Sequence, residues 1–182
     1  MSCPSMPARH TLIAFLAYIL LLLPPAHAAT PRTLPAKVER VSDGDTIIAH
    51  TSNQTKLRLR LLGIDAPEVS HGKKPGQPYG EEARDYLNHL IGGKTVQVET
   101  YGPDRWKKRI LAVIFDEQIN VNLLMVAMGY AEVYRGAPCR VYCRELKDAE
   151  AKARRERVGM WAQAANYEAP AAFRKRMRIR GD

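Results

Sequence analysis

Residues 56–62, Lys-Leu-Arg-Leu-Arg-Leu-Leu, constrain the fold more than any other stretch of the chain. Leu57, Leu59 and Leu61 alternate with Lys56, Arg58 and Arg60. In an extended chain the leucines therefore share one side and the cations the other, the pattern of a half-buried strand. The strand runs into Gly63-Ile64-Asp65-Ala66-Pro67-Glu68. There Pro67 fixes its own φ and biases Ala66 toward extended geometry.

Other elements are placed relative to this strand. Residues 38–41 and 46–49 read as short strands, with Asp43-Gly44 as a two-residue hairpin signal between them. Residues 95–100 and 110–115 read as two more strands. Ala83, Tyr86, Leu87, Leu90 and Ile91 recur at helical spacing before Gly92-Gly93. Val121, Leu124, Met125 and Met128 repeat the pattern, with Gly129 as a C-terminal cap and both methionines expected in the core. A third helix spans residues 141–157, its charges mostly a solvated face. Residues 69–79, with Gly72, Pro75, Gly76 and Pro78, read as a loop. Strands and helices are segregated, which points to an α+β fold: a small barrel partly covered by helices.

The two ends read differently from the middle. Arg9 and His10 precede an apolar run over residues 11–23, then Pro24, Pro25 and Ala26-His27-Ala28. This is the form of a signal peptide cleaved after Ala28, and the run is short of the roughly 20 residues a membrane span needs. Residues 29–36 read as a loose leader, 37–165 as the folded domain and 166–182 as a basic, poorly ordered tail. Export implies a periplasmic or secreted protein with no stable membrane association after cleavage. An uncleaved anchor over residues 12–23 is the other reading. The chain carries 28 Lys and Arg against 19 Asp and Glu, net +9; cleavage removes Arg9 and leaves +8. Such a charge attracts polyanions before any specific contact forms. Cys139 and Cys143 remain as an even pair. Their spacing of four suits a disulfide in an oxidising compartment and equally two small buried hydrophobes.

The chemistry concentrates at strand ends. Asp43 and Asp45 flank Gly44, and Asp65 and Glu68 follow the Arg60 strand. Four carboxylates so grouped suit a hard cation, and turn acids kept for local hydrogen bonding have the same composition. Arg60 and the run Arg105, Lys107, Lys108, Arg109 add guanidinium donors. Acids for a cation together with forked guanidinium groups are what phosphoryl transfer requires. Singly, each cation is equally at home as a solvated surface residue.

Four segments, in order, resemble the staphylococcal nuclease-like (thermonuclease) family: Val41-Ser42-Asp43-Gly44-Asp45-Thr46; residues 59–68; Tyr79-Gly80-Glu81-Glu82-Ala83; and Val121-Asn122 through Gly129-Tyr130-Ala131. The ending up to Trp161 is similar as well. The resemblance implies an OB-like five-stranded β-barrel with three α-helices, and Ca²⁺-dependent cleavage of DNA and RNA leaving 3′-phosphates. It implies Asp45, Asp65 and the main-chain carbonyl of Ala66 as Ca²⁺ ligands, with Asp43 behind them. Glu68 becomes the general base, and Arg60 and Arg109 the groups that hold the phosphate. Counting back from Leu111-Ala112 selects Arg109, whereas counting forward from Asp104 selects Lys108. Arg109 is preferred because lysine lacks the bidentate fork. Trp106 and Tyr134 are candidates for stacking on a nucleotide. Lys73, Lys74 and the tail cations Arg174, Lys175, Arg176, Arg178 and Arg180 are candidates for nonspecific phosphate contacts. The competing class is a catalytically silent barrel that binds nucleic acid or protein; retention of all the acids counts against it. Monomer is the default state.

Overall fold

A computed structural model describes residues 32–72 and 74–179. The elements are β1 (Arg32–Asp43), β2 (Thr46–Thr51), β3 (Lys56–Leu61), β4 (Ile64–Asp65), α1 (Gly80–Ile91), β5 (Thr95–Pro103), β6 (Ile110–Asp116), β7 (Ile119–Asn120), α2 (Val121–Ala127), β8 (Glu132–Val133), α3 (Cys143–Glu156), a 3₁₀ segment (Gly159–Asn166) and α4 (Pro170–Ile179). Sheet order is β3-β2-β1-β5-β6-β7, and β3 also pairs with β6, closing a five-stranded barrel of β1, β2, β3, β5 and β6. The expected OB-like α+β barrel is thus present.

Closure sets which residues meet at one end of the barrel. β3 and β6 run parallel, with Leu59 beside Ile110, Arg60 beside Leu111 and Leu61 beside Ala112. Leu59 and Leu61 are buried in the barrel with Ile47, Val96, Val98 and Ile114. The same register brings Arg109, one residue before β6, to the end of the barrel where Arg60 emerges. Asn122 at the start of α2 fastens the seam. Its amide donates to the Leu62 carbonyl at 2.9 Å and the Ala112 carbonyl at 3.1 Å, and accepts the Ile114 N–H at 3.0 Å.

β1 is longer than its alternation suggests. Val38 and Val41 are three apart, yet both are buried, because the register with β2 slips by one residue between Val38 and Arg40. The extra residue is a bulge that switches the inward face. Arg32 to Ala36, expected in a loose leader, pair with Val96 to Thr100 of β5. β2 begins pairing only at Ala36, so Pro35 sits where β1 has a neighbour on one side. Proline is tolerated at such an edge, and its lack of a donor does no harm.

The turn between β1 and β2 is a two-residue hairpin, with Asp43 opposite Thr46. Gly44 does not need a positive φ there. It is glycine because a Cβ would come within 2.7 Å of the Ala66 Cβ and 2.8 Å of the Ala83 Cβ. The acid turn, the Pro67 loop and α1 therefore meet at one point. Gly80 does the same for the loop: a Cβ there would lie 2.1 Å from the Glu68 carbonyl oxygen.

Helices α1, α2 and α3 occupy the expected places. Met125 is buried, whereas Met128 is 42% exposed, because the helix has ended and its side chain leaves the core face. On α3, Glu150 turns inward and accepts the Val133 N–H at 2.9 Å and Arg135 at 2.5 Å. The region expected as a poorly ordered tail contains a fourth helix, α4, which starts on Pro170 and buries Phe173. Proline at a first helical position costs no hydrogen bond and presets φ. Residues 1–31, including the expected signal peptide, lie outside the described residues, as do Lys73 and Arg180. No helix among the described residues is long and apolar enough to cross a membrane.

Candidate active site

The site lies where the barrel closes. Asp45 follows Gly44 in the hairpin, and Arg60 ends β3. Asp65 ends β4, which is held by β8 through pairs Ile64–Val133 and Asp65–Glu132. Asp45 and Asp65 are 2% and 1% exposed. Arg60 bridges them: one terminal nitrogen donates to Asp45 Oδ1 and the other to Asp65 Oδ1 at 2.7 Å. The Ala66 N–H donates to Asp45 Oδ2 at 3.0 Å and the Thr46 hydroxyl to Asp45 Oδ1 at 3.0 Å. Asp43 stands behind, accepting the Asp45 N–H at 3.2 Å.

Burying these charges is costly even with Arg60 between the acids. Burial pushes the Asp45 carboxyl up to about 7, Arg60 opposes the rise, and the neighbouring Asp43 adds to it. Burial acts to lower Arg60, but Asp45, Asp65 and Asp43 outweigh it and raise its pKa, so it stays charged. A buried carboxylate that ionises at such cost is one that gains from added positive charge.

Glu68 sits in the loop after Pro67. Its N–H donates to Gln77 Oε1 at 3.4 Å, and its carbonyl accepts the Gln77 N–H at 2.8 Å. Glu68, Asp43, Arg60 and Arg109 all line one cavity of about 470 Å³, together with Trp106 and Tyr134. Arg109 enters the wall and Lys108 does not. The reason is Asp104, which is buried and accepts Arg109 Nε at 2.9 Å while Lys108 lends only its backbone N–H, at 2.9 Å. Burial acts to raise Asp104, but hydrogen bonds from the Lys108 N–H and Arg109 outweigh it and hold the carboxyl below its usual value. Trp106 is 59% exposed with Arg105 over its ring, a rim position suited to stacking. Tyr134 is held by its N–H on the Gly63 carbonyl at 2.9 Å. Lys74 is exposed, pairs in a bridge with His71, and is not part of the cavity wall.

Cys139 and Cys143 form a disulfide, with a Cα separation of 5.8 Å. It shapes the loop whose Gly136, Pro138 and Arg140 close the far wall of the cavity. Spacing alone left this pairing open, and the tertiary position decides it.

Three contributors escape a reading of the sequence. Asp104 orients Arg109, and Asn122 ties the seam. Arg174, expected among loose tail cations, forks onto Asp65, with one nitrogen at 3.0 Å from Oδ1 and the other at 2.7 Å from Oδ2, and also reaches Glu68 at 2.7 Å. Burial acts to lower its pKa, and the hydrogen bonds and charges of Asp65 and Glu68 raise it. Pro170 ahead of Ala171, Ala172 and Phe173 is the helix-start signal that marks its element. Arg176 is likewise engaged, on Glu168 at 2.9 and 2.6 Å.

Among the described residues no three His, Cys, Asp or Glu side chains converge as a ligand set, the acid oxygens being divided between Arg60 and Arg174. The donor chemistry nevertheless fits a hard divalent cation. Asp45 and Asp65 are buried oxygen donors of one charge sign brought side by side on Arg60, and burial raises the Asp45 carboxyl despite the opposing pull of Arg60.

Relatives share most of this chain. An "Uncharacterized endonuclease" of Haemophilus influenzae is 31% identical over 165 residues, 90% of this chain and 86% of the relative. "Endonuclease Htp3" of Saprolegnia parasitica is 31% identical over 164 residues, 80% of this chain and 77% of the relative. A "Probable endonuclease LCL3" of Arthroderma otae is 29% identical over 182 residues, 80% of this chain but 63% of the longer relative. Residues 58–163, which hold Arg60, Asp65, Glu68, Arg109 and Asn122, match the family described as "Staphylococcal nuclease homologue", and the chain belongs to that family.

Proposed function

We propose that this chain is an exported, Ca²⁺-dependent nuclease that hydrolyses DNA and RNA phosphodiesters to 3′-phosphate products, acting as a monomer. The observation that carries the reading is the convergence of Glu68, Arg60 and Arg109 on one cavity, with Asp45 and Asp65 buried beside Arg60. Relatives named endonucleases support it. So does the net charge of +9, which suits a polyanionic substrate. Export rests on the sequence of residues 1–28.

Asp45, Asp65 and the Ala66 carbonyl would hold the cation, which supplies charge neutralisation on a phosphoryl oxygen when bound. Glu68 takes a proton from a water as its oxygen forms a bond to phosphorus. The phosphorus–O5′ bond breaks, and the leaving oxygen takes up a proton and departs as a 5′-hydroxyl. Arg60 and Arg109 approach from the same end of the barrel and stabilise the charge gathering on the non-bridging oxygens. Asp104 keeps the Arg109 fork in position through its bond to Nε. Removal of one such donor costs ~10²–10³ in rate. Trp106 and Tyr134 offer faces for a base, without a set of groups that reads base edges, so sequence preference is slight.

Product chemistry tests the reading. A 5′-labelled single-stranded oligonucleotide digested in Ca²⁺ should give fragments whose gel mobility shifts on phosphatase treatment, as 3′-phosphates require. Fragments indifferent to phosphatase would refute the proposed bond cleavage. In the same assay Arg109→Gln should abolish most activity and Lys108→Gln little.

A further inference from the structure

The acid cluster has a partner that no barrel strand supplies. Arg174 belongs to α4, beyond residue 163, where the family match ends. Its guanidinium takes both oxygens of Asp65 and Oε1 of Glu68 within 3.0 Å. The same side chain lines the cavity with Arg60 and Arg109.

The helix is built to hold that contact. Phe173, the preceding residue, is 6% exposed, with the Arg176 guanidinium over its ring. Arg176 clasps both oxygens of Glu168, just before the helix. Gln77 then joins this root to the acid loop: its Nε2 donates to the Glu168 carbonyl, while its Oε1 accepts the Glu68 N–H. Arg174 is thus a cation supplied from within the chain, at the high effective concentration that a tethered ligand has.

A forked guanidinium and a hard divalent cation need the same lone pairs. Calcium takes carboxylate oxygens at about 2.3–2.6 Å, and oxygens already engaged by the fork face a positive charge where the ion would sit. In a buried setting the repulsion between the two cations is weakly screened.

We propose that Arg174 is a tethered competitor for the cation: it neutralises Asp65 and Glu68 in the cation-free protein and must withdraw before a divalent cation binds, so that α4 sets the cation affinity of the site. The inference rests on the reading of Asp45 and Asp65 as cation ligands given above. A purely orienting role for Arg174, holding Glu68 in place, makes a different prediction: cation affinity would not change when the guanidinium is removed.

Calcium titration calorimetry on the full chain, without nucleic acid, separates the two. Arg174→Gln should bind Ca²⁺ about 10- to 100-fold more tightly than the wild type, the usual span of coupling between ligands that oppose one another. Arg174→Lys, which keeps the charge and loses the fork, should fall between them. Hydrogen exchange in the wild type gives a second readout that needs no variant: amides of residues 171–179 should exchange faster once Ca²⁺ saturates the protein. Equal or weaker Ca²⁺ binding by a folded Arg174→Gln overturns the proposal alone, and so does exchange in α4 that is unchanged or slowed by Ca²⁺. Absence of Ca²⁺ binding in both proteins overturns it together with the cation reading.

Discussion

Asn122→Ala tests whether one buried side chain holds the barrel seam on which the site stands. Asn122 is 2% exposed, and its amide serves three backbone groups. The Ala112 carbonyl keeps a second partner, the Leu62 N–H at 2.7 Å. The Ile114 N–H and the Leu62 carbonyl lose the bonds the amide makes to them. Leaving the buried Ile114 N–H unpaired costs ~1–3 kcal/mol, and the part-buried Leu62 carbonyl loses a bond worth ~0.5–1.5 kcal/mol, so together they cost about 1.5–4.5 kcal/mol. Against a total stability of ~5–15 kcal/mol this is a large share. Equilibrium urea denaturation measures it: with a slope of about 2 kcal/mol per molar, the midpoint should fall by about 1–2 M. The fall should reach function as well, since the Leu62 carbonyl lies between Arg60 and Asp65. A displacement of about 1 Å at such a site costs ~10² in rate. A loss below about 1 kcal/mol with an unchanged slope would refute the argument that Asn122 carries the closure.

Three more outcomes follow from the site and its walls. Arg60→Gln removes the guanidinium between two buried carboxylates and should lower stability in chelator by about 3–5 kcal/mol, read by thermal melting; an unchanged melting temperature would contradict the charge compensation described here. Asp104 is held below its usual pKa, so its contribution is present at neutral pH and is lost as pH falls below about 4. The stability gap between wild type and Asp104→Asn should therefore shrink from pH 7 to about pH 3 in denaturant titrations, and a constant gap would contradict it. The disulfide closes a separation of 4 residues, for which chain entropy gives about 2 kcal/mol. Replacing both cysteines with serine should cost no more than that in urea, and should loosen the cavity wall at Pro138 and Arg140, read as a rise in KM for oligonucleotide.

Much of the barrel and the acid cluster was legible because period and punctuation carry them. The Leu57–Leu61 alternation, the glycine after Asp43 and the helical spacing from Ala83 to Ile91 are local patterns, and each reappears as an element. What escaped is nonlocal. Pro35 reads as a leader residue until β5 pairs with one side of β1. Gly44 marks a hairpin correctly, although its reason is crowding by Ala66 and Ala83, two segments far along the chain. Arg109 and Lys108 are neighbours in sequence, and the buried Asp104 carboxylate separates their roles. Arg174 looked like surplus charge because it sits in the basic run Arg174, Lys175, Arg176 and Arg178, and the acids it pairs with are remote in sequence. Its partners Asp65 and Glu68 are 109 and 106 residues away.

The measurement that tests the central claim most directly is cleavage of single-stranded DNA by the purified protein, in Ca²⁺ and in chelator, beside Glu68→Gln. The account predicts cleavage in Ca²⁺, none in chelator, and a rate lowered ~10²–10⁴-fold in the variant with DNA binding retained. Full activity in chelator, or a Glu68→Gln variant as fast as the wild type, would contradict it; binding without cleavage under every condition would mark the chain as a silent barrel.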